Sequence, residues 1–179
     1  INLIDGLDGL AAGIVAIAAA SFFLYSRRLD DLGALAQPNI GPLIAIIALG
    51  VCVGFLPHNF NPAKIFMGDS GALFLGLLMA VSTSVVGGRA DPNSQTYTPG
   101  QTYFFLAPLF IPLFILGVPI LDTLFAIIRR AVKRQGVATA DKGHLHHRLM
   151  NLGHGQRRSV LILWLWTTIL SGFVLYPIF

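Results

Sequence analysis

The stretch PAKIFMGDSGALFLGLLMAVSTSVV, residues 62–86, decides the fold, because a glycine-flanked turn bearing one carboxylate runs directly into a long apolar segment. Gly68 and Gly71 permit backbone conformations and close ligand approach that a side chain would block, and Ser70 can cap the helix that follows. Asp69 then sits at the positive end of a helix. A carboxylate there is a natural ligand for a hard cation such as Mg²⁺, which is commonly held by one or two carboxylates together with substrate phosphates. An Asp capping a tight turn is the plainer reading, and this stretch alone favours it.

The surrounding composition extends the apolar theme. The 179 residues are 55% hydrophobic and 11% charged, with mean hydropathy +0.73, too little polar surface to cover a soluble domain. The expectation is an all-α, polytopic integral membrane protein forming a single transmembrane domain over residues 1–179. Every acidic residue is Asp, and several fall at the ends of apolar runs, where membrane proteins keep functional charge. The net charge of +4 and pI near 9.6 suit anionic lipid headgroups or phosphorylated substrates, and nothing points to nucleic acid. The lone Cys52 can form no internal disulfide.

Apolar stretches run from Leu10 to Tyr25, Ile40 to Leu56, Ala72 to Val86, Tyr103 to Ile128 and Val160 to Tyr176, which predicts about five spanning helices. Pro108, Pro112 and Pro119 imply that the fourth is kinked or broken. Alternating loops place Lys64, Arg129, Arg130, Lys133, Arg134, Lys142, Arg148, Arg157 and Arg158 on one side, and only Arg27, Arg28 and Arg89 on the other. The excess of positive charge makes the first side cytoplasmic. Asn2, Asp5, Asp8, Asp69, His144, His146 and His147 are therefore expected at one face of a multi-pass cytoplasmic-membrane protein.

The opening INLIDGLDGLAAG spaces Asn2, Asp5 and Asp8 three residues apart, which on a helical turn places them roughly on one side. Such a patch could hold a ribose, a base edge or a metal; equally, its polar side chains could satisfy free backbone N–H groups at a helix start. Leu29 to Asn39, with Asp30 and Asp31, reads as a solvated loop on the far side. After the second apolar run come the candidate substrate-binding residues Asn61, Lys64 and Phe66. Lys64 could meet a phosphate and Phe66 could stack on a base, whereas an interfacial lysine and a membrane-anchoring aromatic are the plainer alternatives. Asp122 either pairs with Arg129 or Arg130 or faces a polar cavity. The loop 129–159 carries His144, His146, His147 and Arg148 in a cluster denser than topology requires. Without Cys or Glu beside it, the cluster suits donors to phosphate oxygens better than a zinc site.

Three segments in order, NLIDGLDGLAAG at 2–13, NPAKIFMGDSG at 61–71 and HLHHRL at 144–149, resemble the polyprenyl-phosphate N-acetylhexosamine-1-phosphate transferases of the glycosyltransferase 4 superfamily. With the following LGHGQRRSVLILWLW they look like its WecA/TagO branch, especially the actinobacterial members, rather than its MraY branch. The resemblance implies transfer of N-acetylglucosamine (GlcNAc) 1-phosphate from UDP-GlcNAc to an undecaprenyl or decaprenyl phosphate, releasing UMP and founding a cell-envelope glycan. It implies Mg²⁺, or Mn²⁺ in its place, on Asp69, a nucleotide site formed with Asn2 to Asp8, Phe66 against the uracil, and His146 and His147 approaching the phosphates. Membrane lipids and a second copy of the chain, as a homodimer, are the further expected partners. The family also uses an adjacent Asp pair in an earlier cytoplasmic loop, whereas Asp30-Asp31 follows the first motif. The chain is therefore expected to be the C-terminal half of a larger enzyme, inactive in isolation. An MraY-like phospho-MurNAc-pentapeptide transferase and a small transporter using Asp and His sites are the alternatives.

Overall fold

The computed structural model describes residues 1–33, 35–36, 38–87, 113, 117, 120–121, 124–125, 127–128, 149–150 and 152–176. The regular elements among them are helical: a short 3-10 turn Asn2–Ile4, then α1 (Leu10–Asp31), α2 (Gly41–Asn59), α3 (Gly68–Gly87) and α4 (Gln156–Leu175). Each of the four α-helices is long and apolar enough to cross a bilayer. The protein is an all-α, polytopic membrane protein. Of the expected fourth span, Leu113, Gly117, Ile120, Leu121, Leu124, Phe125, Ile127 and Ile128 are described and all are helical. Pro108, Pro112, Pro119, Asp122 and the connection after Gly87 lie outside the described residues.

α1 is the hub, packing chiefly against α2, then against α4 and more lightly against α3, while α2 also packs on α3. Its sequence explains the placement. Ala11, Ala12, Val15, Ala18, Ala19 and Phe22 are fully buried, and small side chains let neighbouring backbones approach closely where lipid provides no hydrophobic drive between helices. α2 answers with Gly41, Ala45, Ala48 and Cys52, spaced three or four residues apart so that they share one face. α3 buries Ala72, Leu75, Met79, Ser82 and Val86 on the same period. The opposite faces of α2 and α3 expose Leu43, Ile47, Val51, Leu73 and Leu77, as lipid-facing surfaces should. Interior hydroxyls return to their own helices: Ser21 donates to the Ile17 carbonyl at 2.8 Å, Thr167 to Leu163 at 2.9 Å and Ser171 to Thr167 at 2.7 Å.

Two expectations are corrected. Asp30 and Asp31 do not sit in a loop, because α1 continues through Arg27 and Arg28 to Asp31. Asp30 there accepts a hydrogen bond from Asn39 Nδ2 at 3.4 Å, and Asn39 Oδ1 in turn accepts from the Gly41 N–H at 2.9 Å at the start of α2. Nor do Asn2, Asp5 and Asp8 share a helical face, since the 3-10 turn ends at Ile4 and Asp5 to Gly9 form turns.

Candidate functional site

The polar groups of the described residues concentrate where the start of α1, the end of α2, the loop 60–67 and the start of α4 meet. Gly9 precedes α1 with φ +81°, a left-handed conformation that side chains disfavour, and a Cβ on it would also come within 2.9 Å of the Phe60 ring. Its N–H donates to Asn59 Oδ1 at 3.0 Å, while Asn59 Nδ2 donates to the Ile65 carbonyl at 3.0 Å. Asn59 is 2% exposed, so one buried amide at the end of α2 holds both the entry to α1 and the loop that leads to α3. The N–H groups of Lys64 and Ile65 both donate to the His58 carbonyl, at 2.8 and 3.1 Å, which folds this loop back on the helix end.

Asp8 is the second organiser. Its Oδ2 accepts from Asn61 Nδ2 at 2.9 Å and from the Ala63 N–H at 3.2 Å. Asn61 Nδ2 also donates to Gln156 Oε1 at 2.8 Å, and Arg157 Nε donates to the Asn61 carbonyl at 2.8 Å. Two distant segments thus converge on Asn61.

Above these contacts lies a cavity of about 150 Å³ lined by Asp5, Gly6, Leu7, Asp8, Asn59, Phe66 and Met67. That is smaller than the ~300–1,000 Å³ of pockets that enclose a drug-sized ligand, so it suits one ring of a longer molecule. Its chemistry is a flat aromatic face, 75% exposed at Phe66, beside two carboxylates. Burial, and then the neighbouring Asp8 charge, push the Asp5 carboxyl pKa above its ordinary 3.8.

The structure therefore brings together Asp5, Asp8 and Phe66 of the expected site residues, with Asn61 bonded to Asp8. Asn2 is exposed on the 3-10 turn and does not line the cavity. Lys64 is exposed on the loop. Asp69 lies two residues beyond Met67, exposed in the first turn of α3. Ser70 does not cap that helix, which begins two residues earlier at Gly68, a glycine with φ +63°. Among the described residues no group of three or more His, Cys, Asp or Glu is arranged to hold a metal ion. His144, His146, His147 and Arg148 lie outside the described residues. The chain after them is placed, because Leu149 and Met150 pack on the cluster of Leu7, Leu10, Ile14, Val160 and Leu163. Asn59, Gln156 and Arg157 are additions that sequence reasoning did not single out as site residues. For Asn59 a signal existed, an amide closing a 19-residue apolar helix, whereas nothing local marks Gln156, 95 residues beyond its partner Asn61.

The pattern for glycosyl transferase family 4 matches residues 1–87, which contain every residue lining the cavity and Asp69. Over 95% of its length the chain is 41% identical to a decaprenyl-phosphate N-acetylglucosaminephosphotransferase of Mycobacterium tuberculosis. Residues 1–87 thus match glycosyl transferase family 4. A second relative, a probable undecaprenyl-phosphate N-acetylglucosaminyl 1-phosphate transferase of Bacillus subtilis, is 42% identical over 92% of the chain. A phospho-N-acetylmuramoyl-pentapeptide-transferase of Desulforudis audaxviator is more distant, at 34% identity over 92% of the chain. The chain spans 42%, 40% and 41% of the lengths of these three relatives.

Proposed function

We propose that this chain contributes the nucleotide-sugar side of an enzyme that transfers GlcNAc 1-phosphate from UDP-GlcNAc to a polyprenyl phosphate, releasing UMP. The observation that carries the reading is the cavity at the polar end of the spans, where Phe66 offers a stacking face beside Asp5 and Asp8. A pyrimidine ring fits its size and chemistry, and the diphosphate would then extend toward Asp69. The names of the relatives at 41% and 42% identity support this acceptor and sugar, and the 34% relative makes the pentapeptide substrate the second reading. A transporter would set ionisable groups near the bilayer midplane, whereas the described ones gather near helix ends.

The donor chemistry fits Mg²⁺. Asp69 is an exposed, hard oxygen ligand at a helix start, and the missing donors are those that substrate phosphates supply. Asp69 would hold the ion, and the ion would neutralise charge on the pyrophosphate as its bond to the departing UMP breaks. The chain's own residues orient the reactants: Phe66 and Asp8 fix the base end, while His146, His147 and Arg148 are proposed to donate to phosphate oxygens. On this reading the site opens to the cytoplasm.

The test is Asp69→Asn in the longest reading frame that carries this chain, assayed with UDP-GlcNAc and a polyprenyl phosphate. Turnover should fall about a hundredfold or more, the scale for losing one key electrostatic group, with the unfolding temperature unchanged because the side chain is exposed. Near-normal turnover at limiting Mg²⁺ would overturn the ligand role.

A further inference from the structure

The contacts around Asn61 form a chain of dependence that runs away from the cavity. A carboxylate can only accept hydrogen bonds, so the 2.9 Å contact to Asp8 Oδ2 fixes which end of the Asn61 amide is the nitrogen. That nitrogen carries two hydrogens. The second is directed at Gln156, which must present its oxygen, and does so at 2.8 Å. The Asn61 carbonyl is held separately by Arg157 Nε at 2.8 Å. Both the side chain and the backbone of Asn61 are thus anchored to the first turn of α4. Asp8 lines the cavity on one side of this arrangement, and its same oxygen also receives the Ala63 N–H of the loop that leads to Phe66. α4 meanwhile packs on α1 through Val160 and Leu163, which share a cluster with Leu7 and Leu10, so its first turn is a fixed point rather than a free end.

We propose that Gln156 and Arg157 are positioning residues, a clamp by which α4 sets the orientation of Asp8 and of the loop carrying Phe66. Neither residue lines the cavity, and each acts only through Asn61. The consequence for a ligand rests on the nucleotide reading above: with the clamp broken, the two walls of the cavity, Asp8 and Phe66, lose their fixed separation. Ground-state binding of the uridine nucleotide then weakens more than the chemical step slows.

The experiment compares wild type, Gln156→Leu and Gln156→Glu in the full reading frame, in detergent with lipid. Gln156→Leu is similar in size and removes the acceptor; Gln156→Glu keeps an acceptor oxygen at the same reach, with Arg157 beside it to offset the added charge. The first readout is amide hydrogen exchange of the segment 60–66, which needs no ligand. Gln156→Leu should speed exchange there about tenfold, and Gln156→Glu should return it toward wild type. The second readout is steady-state kinetics, where Gln156→Leu should raise KM for UDP-GlcNAc about fivefold to tenfold with kcat changed less than twofold. Unchanged exchange over 60–66 in Gln156→Leu would overturn the clamp, as would equal effects of Leu and Glu. Should wild type show no interaction with UDP-GlcNAc, the nucleotide reading fails, while the exchange measurement still decides the clamp.

Discussion

α1 and α2 are both apolar spans, yet they play opposite parts. The most apolar stretch of α2 has mean hydropathy 1.9 and is 28% buried, whereas that of α1 has mean hydropathy 1.6 and is 72% buried. In water the oilier helix would be the central one. In a bilayer, lipid satisfies oily surface as well as protein does, so centrality follows side-chain size: α1 is central because Ala and Gly let three neighbours close on it. α2 spends its Ile, Leu and Val on lipid and keeps a narrow face of small residues for α1.

The sharpest way to break this comparison uses two helical glycines. At Gly13 of α1 an added Cβ would overlap the indole ring of Trp164, while at Gly50 of α2 it would meet nothing within 4 Å. Gly13→Leu should push α1 and α4 apart, at or beyond the ~1–3 kcal/mol typical of overpacking. Gly50→Leu should be neutral or stabilising by up to about 1 kcal/mol, since Gly is a poor helix former. Denaturant titration in mixed micelles would read both, and equal tolerance of the two would dissolve the distinction between central and lipid-facing helices.

A finer comparison lies within the last turn of α2. Asn59 is buried and His58 is exposed. Asn59→Leu leaves the Gly9 N–H and the Ile65 carbonyl without their partner, and at least one orphaned buried group should cost about 1–3 kcal/mol. His58→Leu should stay within about 0.5 kcal/mol, because its side chain is exposed and its backbone carbonyl, which accepts from Lys64 and Ile65, is kept. Matching losses for the two would mean that the hydrogen bonds of Asn59 add nothing beyond burial.

The smallest effect concerns Asp5, outside the spans. Its carboxyl binds a proton more readily in the folded chain than at the ordinary 3.8, so stability should decline as pH rises from about that value through the raised one. Asp5→Asn has no proton to lose and should abolish that decline, leaving a small gain in unfolding temperature at pH 7 that vanishes below pH 3.8. A variant whose pH profile overlays wild type would show that the proton affinity of Asp5 does not change on folding.

Much of this architecture was legible in the sequence. Runs of apolar residues marked the spans, and alternation of loops placed Asp5, Asp8 and Phe66 at one end, where the cavity joins them. What was not legible were the helix limits, because helical hydrogen bonding carries on past the last apolar residue. Thus α1 takes in Arg27 through Asp31, and α3 starts at Gly68 instead of after Ser70. Nor does spacing alone reveal that Asp5 and Asp8 leave the helical register of Asn2, since a 3-10 turn of three residues intervenes. Gln156 was invisible for a different reason: its role depends on where another segment lies in space.

That long-range contact also has a consequence in time. Asn61 and Gln156 are 95 residues apart, so a ribosome working at ~5–20 residues per second emits the second about 5–20 s after the first. During that interval α1, α2 and α3 can already be inserted and packed, while the contacts of Asn61 to α4 are still to form. Maturation of this corner would wait for α4 to arrive.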